Sequence, residues 1–156
     1  MKKKFLLLLL TFVIFSACGY KIVNINELRN FEIKELLSSG DKRVNFLIKN
    51  ELLLKKNKNF IKKIKVNLET KKTKEIKEKN IQNEITKYEI NILVNVKFNI
   101  LQENSSNYFS INKSGVYEVS KKHSETLNNE KKLIKIISKS IADNIVENLI
   151  LKLNEL

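Results

Sequence analysis

YEINILVNVKFNI, residues 88–100, is the most regular stretch of the chain. Tyr88 and every second residue after it up to Ile100 are apolar, while most of the positions between them hold Asn, Lys or Glu. A period of two places all of these apolar side chains on one face of a β-strand, and β-branched residues favour that conformation. The stretch therefore predicts a long strand whose apolar face must be covered by a second layer.

Three further segments alternate in the same way and predict strands. They are 31–36, 64–69 and 108–120. The highly charged residues 71–79 either extend the second strand or form an exposed hairpin, and residues 102–107 form a polar turn. Gly115 is expected to mark a bulge in the last strand.

Two segments repeat their apolar residues at helical spacing. Val44, Leu47, Ile48 and Leu52 predict a helix over 41–56, with Asp41 at its N-terminus, where the helix dipole favours a negative charge. A longer apolar stripe from Leu133 to Leu153 predicts a helix over 129–154, capped by Asn128 or Asn129.

Together these elements predict an α+β fold, a two-layer sandwich in which two amphipathic helices pack on a four-stranded sheet in the order β-α-β-β-β-α. We divide the chain into a signal peptide (1–17), a lipidated tether (18–30) and a single α+β domain (31–156). A domain of this size has enough residues for one hydrophobic core.

The first eighteen residues predict export and lipidation. Lys2–Lys4 precede an apolar run that ends near Phe15, and Ser16 and Ala17 lead into Cys18, the only cysteine. A basic start, a short apolar run and a small-residue junction are typical of a secretory signal peptide. Phe15–Cys18 resembles the lipobox of bacterial lipoproteins, with Phe where Leu is usual. Lipidation of Cys18 is our interpretation; an ordinary signal peptide and a buried cysteine of a cytosolic helix are the alternatives.

The same region predicts where the anchored chain resides. Several acyl chains on one residue hold a protein firmly on a bilayer. Gly19 follows the cysteine, and the absence of Asp at that position favours the outer membrane, with the domain on its periplasmic face.

The net charge of the chain is +13, and removing Lys2–Lys4 with the signal peptide leaves +10. Such a surface attracts anionic lipid or phosphorylated glycolipid, and an exported location excludes nucleic acid as a partner. The 28 Lys, 21 Asn and 20 Ile against 2 Arg also match the bias of an AT-rich genome, which leaves open whether the charge is functional.

No group of residues predicts catalysis. His123 is the only histidine, so no Cys–His or Ser–His pair is available, and we expect it to lie in a loop. No Cys/His cluster indicates a metal site, and no glycine-rich loop indicates a phosphate site. We therefore predict a binding or structural protein that needs no cofactor.

The layout of the chain resembles the lipopolysaccharide-assembly lipoprotein family, LptE. The shared features are the signal ending in Cys18-Gly19-Tyr20-Lys21, a first strand running into Ser39-Gly40-Asp41 and a helix, the strand KYEINILVNVKFNIL, the strand YFSINKSGVYEVS and a long terminal helix. The resemblance implies a plug inside a large outer-membrane β-barrel of the LptD type, which it helps to assemble, and contact with lipopolysaccharide on its way to the outer leaflet.

In that family, basic loop residues at the tip of the sheet are thought to meet the phosphates of lipid A. On charge and expected loop placement, the candidates here are Lys72, Lys74, Lys121 and Lys122. Two other functions stay open, an unrelated outer-membrane scaffold and a carrier that holds lipid between its sheet and helices. A solvated strand edge, where lysine discourages aggregation, is the structural alternative for the basic clusters.

Overall fold

The structure is a computed structural model that describes residues 30–54, 62–101, 103 and 106–155. The elements, in chain order, are β1 (Phe31–Gly40), α1 (Lys42–Leu54), β2 (Lys62–Lys79), β3 (Ile85–Ile100), β4 (Ser106–Glu118) and α2 (His123–Asn154). The α+β prediction, with four strands, two helices and the order β-α-β-β-β-α, is confirmed. Neither described helix combines the length and apolarity that crossing a bilayer requires. Cys18 and the other signal residues lie outside the described residues.

The sheet is mixed, and its spatial order β1-β2-β3-β4 follows the chain. β1 runs parallel to β2, while β2–β3 and β3–β4 are antiparallel. A parallel pair requires a crossover, and α1 provides it by running back along the sheet. β1 ends where Gly40 pairs with Thr70, so residues 71–79 pair with β3 alone among the described strands. Residues 71–79 therefore extend β2, and residues 80–84 form the hairpin turn.

The core lies between the helices and one face of the sheet. β3 contributes the even-numbered residues that its sequence pattern singled out, and Ile90 to Ile100 are buried with Tyr88 packed at their margin. β2 contributes Ile64, Val66 and Leu68, and the helices cover these strands with buried side chains including Ile48, Leu52, Ile141, Ile145 and Leu149. The other side of the sheet, which we call the open face, has no second layer of described residues.

A polar corner fixes the place where β1 turns into α1. Gly40 has φ +90°, and Asp41 N donates to the Thr70 carbonyl at 3.2 Å. A Cβ on Gly40 would lie 1.9 Å from that carbonyl oxygen, so only glycine fits. The buried Thr70 hydroxyl lies 3.1 Å from Asn45 Oδ1, and Asn45 Nδ2 donates to the Ser39 carbonyl. These bonds satisfy the buried polar groups of the corner.

The structure corrects several predicted boundaries. β1 runs on to Gly40, and α2 begins at His123, six residues before the predicted start. Asn129 therefore lies inside the helix, where its amide donates to the Glu118 carbonyl instead of capping. A local hydrogen bond holds the start of α2, since the buried Thr126 hydroxyl accepts from Ser120 N, six residues earlier in the chain.

The bulge expected at Gly115 is also wrong, because the β3–β4 register is continuous. This glycine instead allows close approach of α2, since a Cβ there would meet Leu133 Cδ1 at 2.7 Å.

Candidate functional site

Lys72, predicted as a loop residue, lies within β2 on the helix side of the sheet. Its ammonium pairs with Asp41 Oδ2 at 3.0 Å, and Asp41 Oδ1 accepts from Val44 N at 2.9 Å. Burial by itself would raise the pKa of Asp41, but the hydrogen bonds from Val44 and Lys72 hold that pKa below its usual value. Asp41 thus caps α1, as its position in the sequence predicted, and Lys72 ties the cap to β2.

Lys74, also predicted in a loop, lies two residues further along β2 in a compact cluster. Its ammonium contacts Glu130 of α2 at 2.8 Å and lies 4.2 Å from the centre of the Tyr88 ring. Tyr117 donates its hydroxyl to the same carboxylate oxygen at 2.8 Å, and the two tyrosine rings stack at 5.7 Å. This cluster joins β2, β3, β4 and α2.

The charges in the cluster stabilise each other. Burial would lower the pKa of Lys74, yet its bonds to Glu130 and Tyr117 raise it above the ordinary value. Burial would likewise raise the pKa of Glu130, and the bonds from Lys74 and Tyr117 lower it instead. Burial, assisted by Glu130, raises the pKa of Tyr117. The positive charge of Lys74 is therefore already balanced by Glu130 within the protein.

Lys121 and Lys122 do lie in a connection, the bend between β4 and α2. Both are exposed, and Lys122 makes a loose pair with Glu125 at 3.5 Å, with 78% of the lysine side chain accessible. They lie toward the same end of the sheet as the β2–β3 turn, since Val119 N donates to the Thr86 carbonyl. The expected loop position is thus wrong for Lys72 and Lys74, and it is confirmed for Lys121 and Lys122. His123 is the first residue of α2 instead of a loop residue.

The open face of the sheet is polar and rich in amides. Asn95 Nδ2 donates to Glu69 Oε2 at 3.3 Å, and Ser110 Oγ donates to Asn95 Oδ1 at 2.8 Å, forming a row across three strands. A shallow groove of about 470 Å³ runs beside this row, bounded on one side by Tyr108. This face offers hydrogen-bonding groups to a partner, and it also exposes apolar side chains such as Leu93 and Tyr108.

Sequence reasoning missed a third basic group. Four exposed lysines lie on the side of α2 that points away from the core, and none of them has an ion pair in the described part of the chain: Lys131, Lys132, Lys135 and Lys139. The available signal was the absence of acidic residues between Lys131 and Ala142. We call these four residues the α2 lysine group.

The layer between the helices and the sheet is filled by side chains. Ile92, Val94 and Phe98 of β3 are 0% exposed, as are Ile141 and Ile145 of α2, which faces the sheet. Phe98 makes an edge contact with Phe109 at 6.2 Å. Among the described residues, no three His, Cys, Asp or Glu side chains come together as metal ligands would.

Three lipoproteins are among the solved structures that share this fold. Rare lipoprotein B from Shewanella oneidensis matches with a TM-score of 0.62 and 15% identity, over 80% of this chain and 98% of that one. A lipoprotein candidate from Caulobacter crescentus CB15 matches with a TM-score of 0.57 and 11% identity, over 85% of this chain and 97% of that one. The uncharacterized lipoprotein B from Nitrosomonas europaea matches with a TM-score of 0.53 and 11% identity, over 82% of this chain and 88% of that one. At these identities the likeness is one of fold.

Neither a family model nor a curated protein sequence matches the chain.

Proposed function

We propose that this chain is a non-catalytic outer-membrane lipoprotein that plugs and helps to assemble an LptD-type β-barrel and assists insertion of lipopolysaccharide into the outer leaflet. The observation that carries the proposal is the combination of the lipobox-like Phe15–Cys18 with a fold shared by rare lipoprotein B. In this proposal, lipidated Cys18 holds the domain on the periplasmic face of the membrane.

The surface of the domain supports a plug. A protein enclosed by the lumen of a barrel meets a polar wall, and the amide and hydroxyl groups of the open face can hydrogen-bond to such a wall. The row formed by Glu69, Asn95 and Ser110 exposes groups of this kind across three strands.

The packed core favours a plug over a lipid carrier. A carrier needs a cavity for an acyl chain between sheet and helices, but buried side chains such as Ile92, Phe98 and Ile145 occupy that layer. Admitting a chain there would require the two layers to separate, at the cost of a large buried apolar area.

The ion pairs rank the four proposed glycolipid contacts. Lys121 and Lys122 are exposed and reach solvent freely or nearly so, which suits contact with a phosphate. Lys72 and Lys74 would have to leave Asp41 and Glu130 before meeting one. We therefore expect Lys121 and Lys122 to contribute more to glycolipid contact than Lys72 and Lys74.

Depletion in the native host tests this function. If it is right, cells that lose the chain should place less newly made glycolipid at the surface, and the wild-type chain should restore it. A Lys121→Glu, Lys122→Glu double variant should restore it poorly, while the matched control Lys121→Arg, Lys122→Arg, which keeps both charges, should restore it well. Unchanged surface glycolipid after depletion would count against the proposal, and equal rescue by both variants would count against the two contact residues alone.

The anchor has its own test. The intact mass of the chain isolated from membranes should equal that of residues 18–156 plus a diacylglycerol and an acyl group. A mass matching the unmodified polypeptide would remove the lipoprotein part of the proposal, and a Cys18→Ser variant provides the reference for the unmodified form.

A further inference from the structure

The helical layer of this protein has a markedly basic outer surface. The α2 lysine group covers about two turns of α2, with no acidic residue between Lys131 and Ala142. Ile136 lies among these lysines and is 66% exposed. The next carboxylates along the helix, Asp143 and Glu147, come after the group.

The outer side of α1 repeats this composition beside it. Lys42 and Arg43 are exposed, Lys49 is half-buried, and the only carboxylate of the helix, Glu51, is half-buried. Phe46, on the same side, is 63% exposed, and Leu53 and Leu54 are exposed toward the end of the helix. Since α1 and α2 pack side by side on one face of the sheet, their outer sides form one surface, the helical face.

The open face has a different character. Carboxylates such as Glu69 and Glu75 alternate there with Lys63 and Lys71, and the pair Lys65–Glu35, at 2.8 Å, neutralises part of the charge. The positive charge of the domain is therefore concentrated on the helical face, which also exposes Phe and Ile side chains.

We propose that the helical face docks on the anionic surface of a lipid bilayer, with its lysines against phosphate headgroups and with Phe46 and Ile136 inserted at the interface. Amphipathic surfaces that combine Lys with exposed Phe, Leu or Ile bind in this way, and each basic residue near an anionic leaflet adds to the attraction. An acidic protein surface would also match the charges, but the proposed anchor at Cys18 already holds this domain against a bilayer.

The course of the chain allows this orientation. Asn30, the first described residue, hydrogen-bonds to Asn154 at the end of α2 through their side chains, at 3.1 Å. The twelve residues between Cys18 and β1 span at most about 40 Å when extended, similar to the length of α2 at about 48 Å. The inference rests on the proposed lipid anchor and not on the barrel, because it concerns the chain on a membrane without a partner.

The test places one fluorescent label on either face of the mature lipidated chain, residues 18–156. Phe46→Cys labels the helical face and Tyr108→Cys labels the open face; the two native aromatic side chains are matched at 63% and 62% exposure. Lipidated Cys18 has no free thiol, so each variant takes up one label. The labelled chains are reconstituted into vesicles of phosphatidylcholine, or of an equal mixture with phosphatidylglycerol, that contain brominated lipid as a quencher.

If the helical face docks, bromolipid should quench the label at position 46 strongly in the anionic vesicles and much less in the neutral ones. The label at position 108 should stay unquenched in both kinds of vesicle. Lys131→Glu with Lys135→Glu should abolish the quenching at position 46, whereas Lys63→Glu with Lys71→Glu, the same change of charge on the open face, should leave it intact. Added salt should weaken the quenching, because it screens the attraction.

Two failures are distinguishable. Flotation in a density gradient shows whether the chain stays with the vesicles. If the chain does not float with neutral vesicles, the proposed lipid anchor is contradicted. If the chain floats with the vesicles but bromolipid leaves the labels at positions 46 and 108 equally unquenched, the docking is overturned and the anchor remains in place. The helical face is then a surface for an acidic protein.

Discussion

Replacing Gly40 by alanine is expected to destabilise the domain strongly, because this residue holds the corner between β1 and α1. The φ of +90° is a conformation that an L-residue adopts only at a cost of about 1–2 kcal/mol. The new Cβ would also lie 1.9 Å from the Thr70 carbonyl oxygen, which must move away. That movement weakens the 3.2 Å bond from Asp41 N, and an unsatisfied buried backbone group costs about 1–3 kcal/mol.

The two costs add to about 3 kcal/mol, after a small gain from a stiffer unfolded chain of about 0.4–1 kcal/mol. In urea denaturation followed by circular dichroism, Gly40→Ala should unfold at a lower midpoint concentration of urea. The free energy of unfolding should depend on urea with a slope similar to that of the wild type. Gly115→Ala is the matched control, because its Cβ would meet side-chain atoms of Leu133 and Ile137, at 2.7 and 3.3 Å, which can shift more easily than a backbone carbonyl. If Gly40→Ala were as stable as Gly115→Ala, the geometry of the corner described above would be refuted.

The remaining predictions concern Asp41 at the start of α1, the buried ring of Phe98, and Lys122 in the bend between β4 and α2. Because the pKa of Asp41 is lowered in the folded state, the stability it contributes is present above its unfolded pKa of 3.8 and is lost as pH falls through the lowered folded pKa. The melting temperature of the wild type should therefore drop more between pH 5 and pH 3 than that of Asp41→Asn, and equal drops would contradict the bonds that Asp41 accepts from Val44 and Lys72. Phe98→Ala should cost about 3–5 kcal/mol in urea denaturation, because a fully buried ring leaves a cavity; a loss below about 1 kcal/mol would indicate that the layer is loosely packed. Lys122→Ala should leave the melting temperature unchanged, since exposed ion pairs contribute little, and a clear drop would show that the bend is structural.

The sequence was most informative where one physical requirement dominated. The residues of β3 alternate because one face is buried, and the pattern predicted both the strand and the side that the helices cover. Asp41 was identified as the N-terminal residue of a helix because a short acidic side chain suits that position, and it does accept from Val44 N.

Tertiary contacts decided the features that the sequence did not reveal. Residues 71–79 show little apolar alternation, yet they continue β2 because β3 supplies hydrogen-bonding partners as far as Ile85. Local propensity is a weak guide in such places, since packing overrides it.

The candidate site illustrates the same limit. A lysine in the sequence looks equally free whether it meets a ligand or a carboxylate of its own chain, and Lys72 and Lys74 turned out to meet Asp41 and Glu130. The α2 lysine group lacks such partners among the described residues because its stretch of helix contains no acid. Charge balance along a single helical face would therefore have been a better guide than the density of lysine.

The most direct test of the proposed function is the identity of whatever binds the full-length chain in its native membrane. The chain would be expressed with a C-terminal tag, extracted in mild detergent and isolated together with its partners. We expect a large outer-membrane β-barrel protein in a ratio of about one to one. Efficient recovery of the chain alone, or with cell-wall material, would contradict the barrel function and leave an anchored protein that serves another assembly.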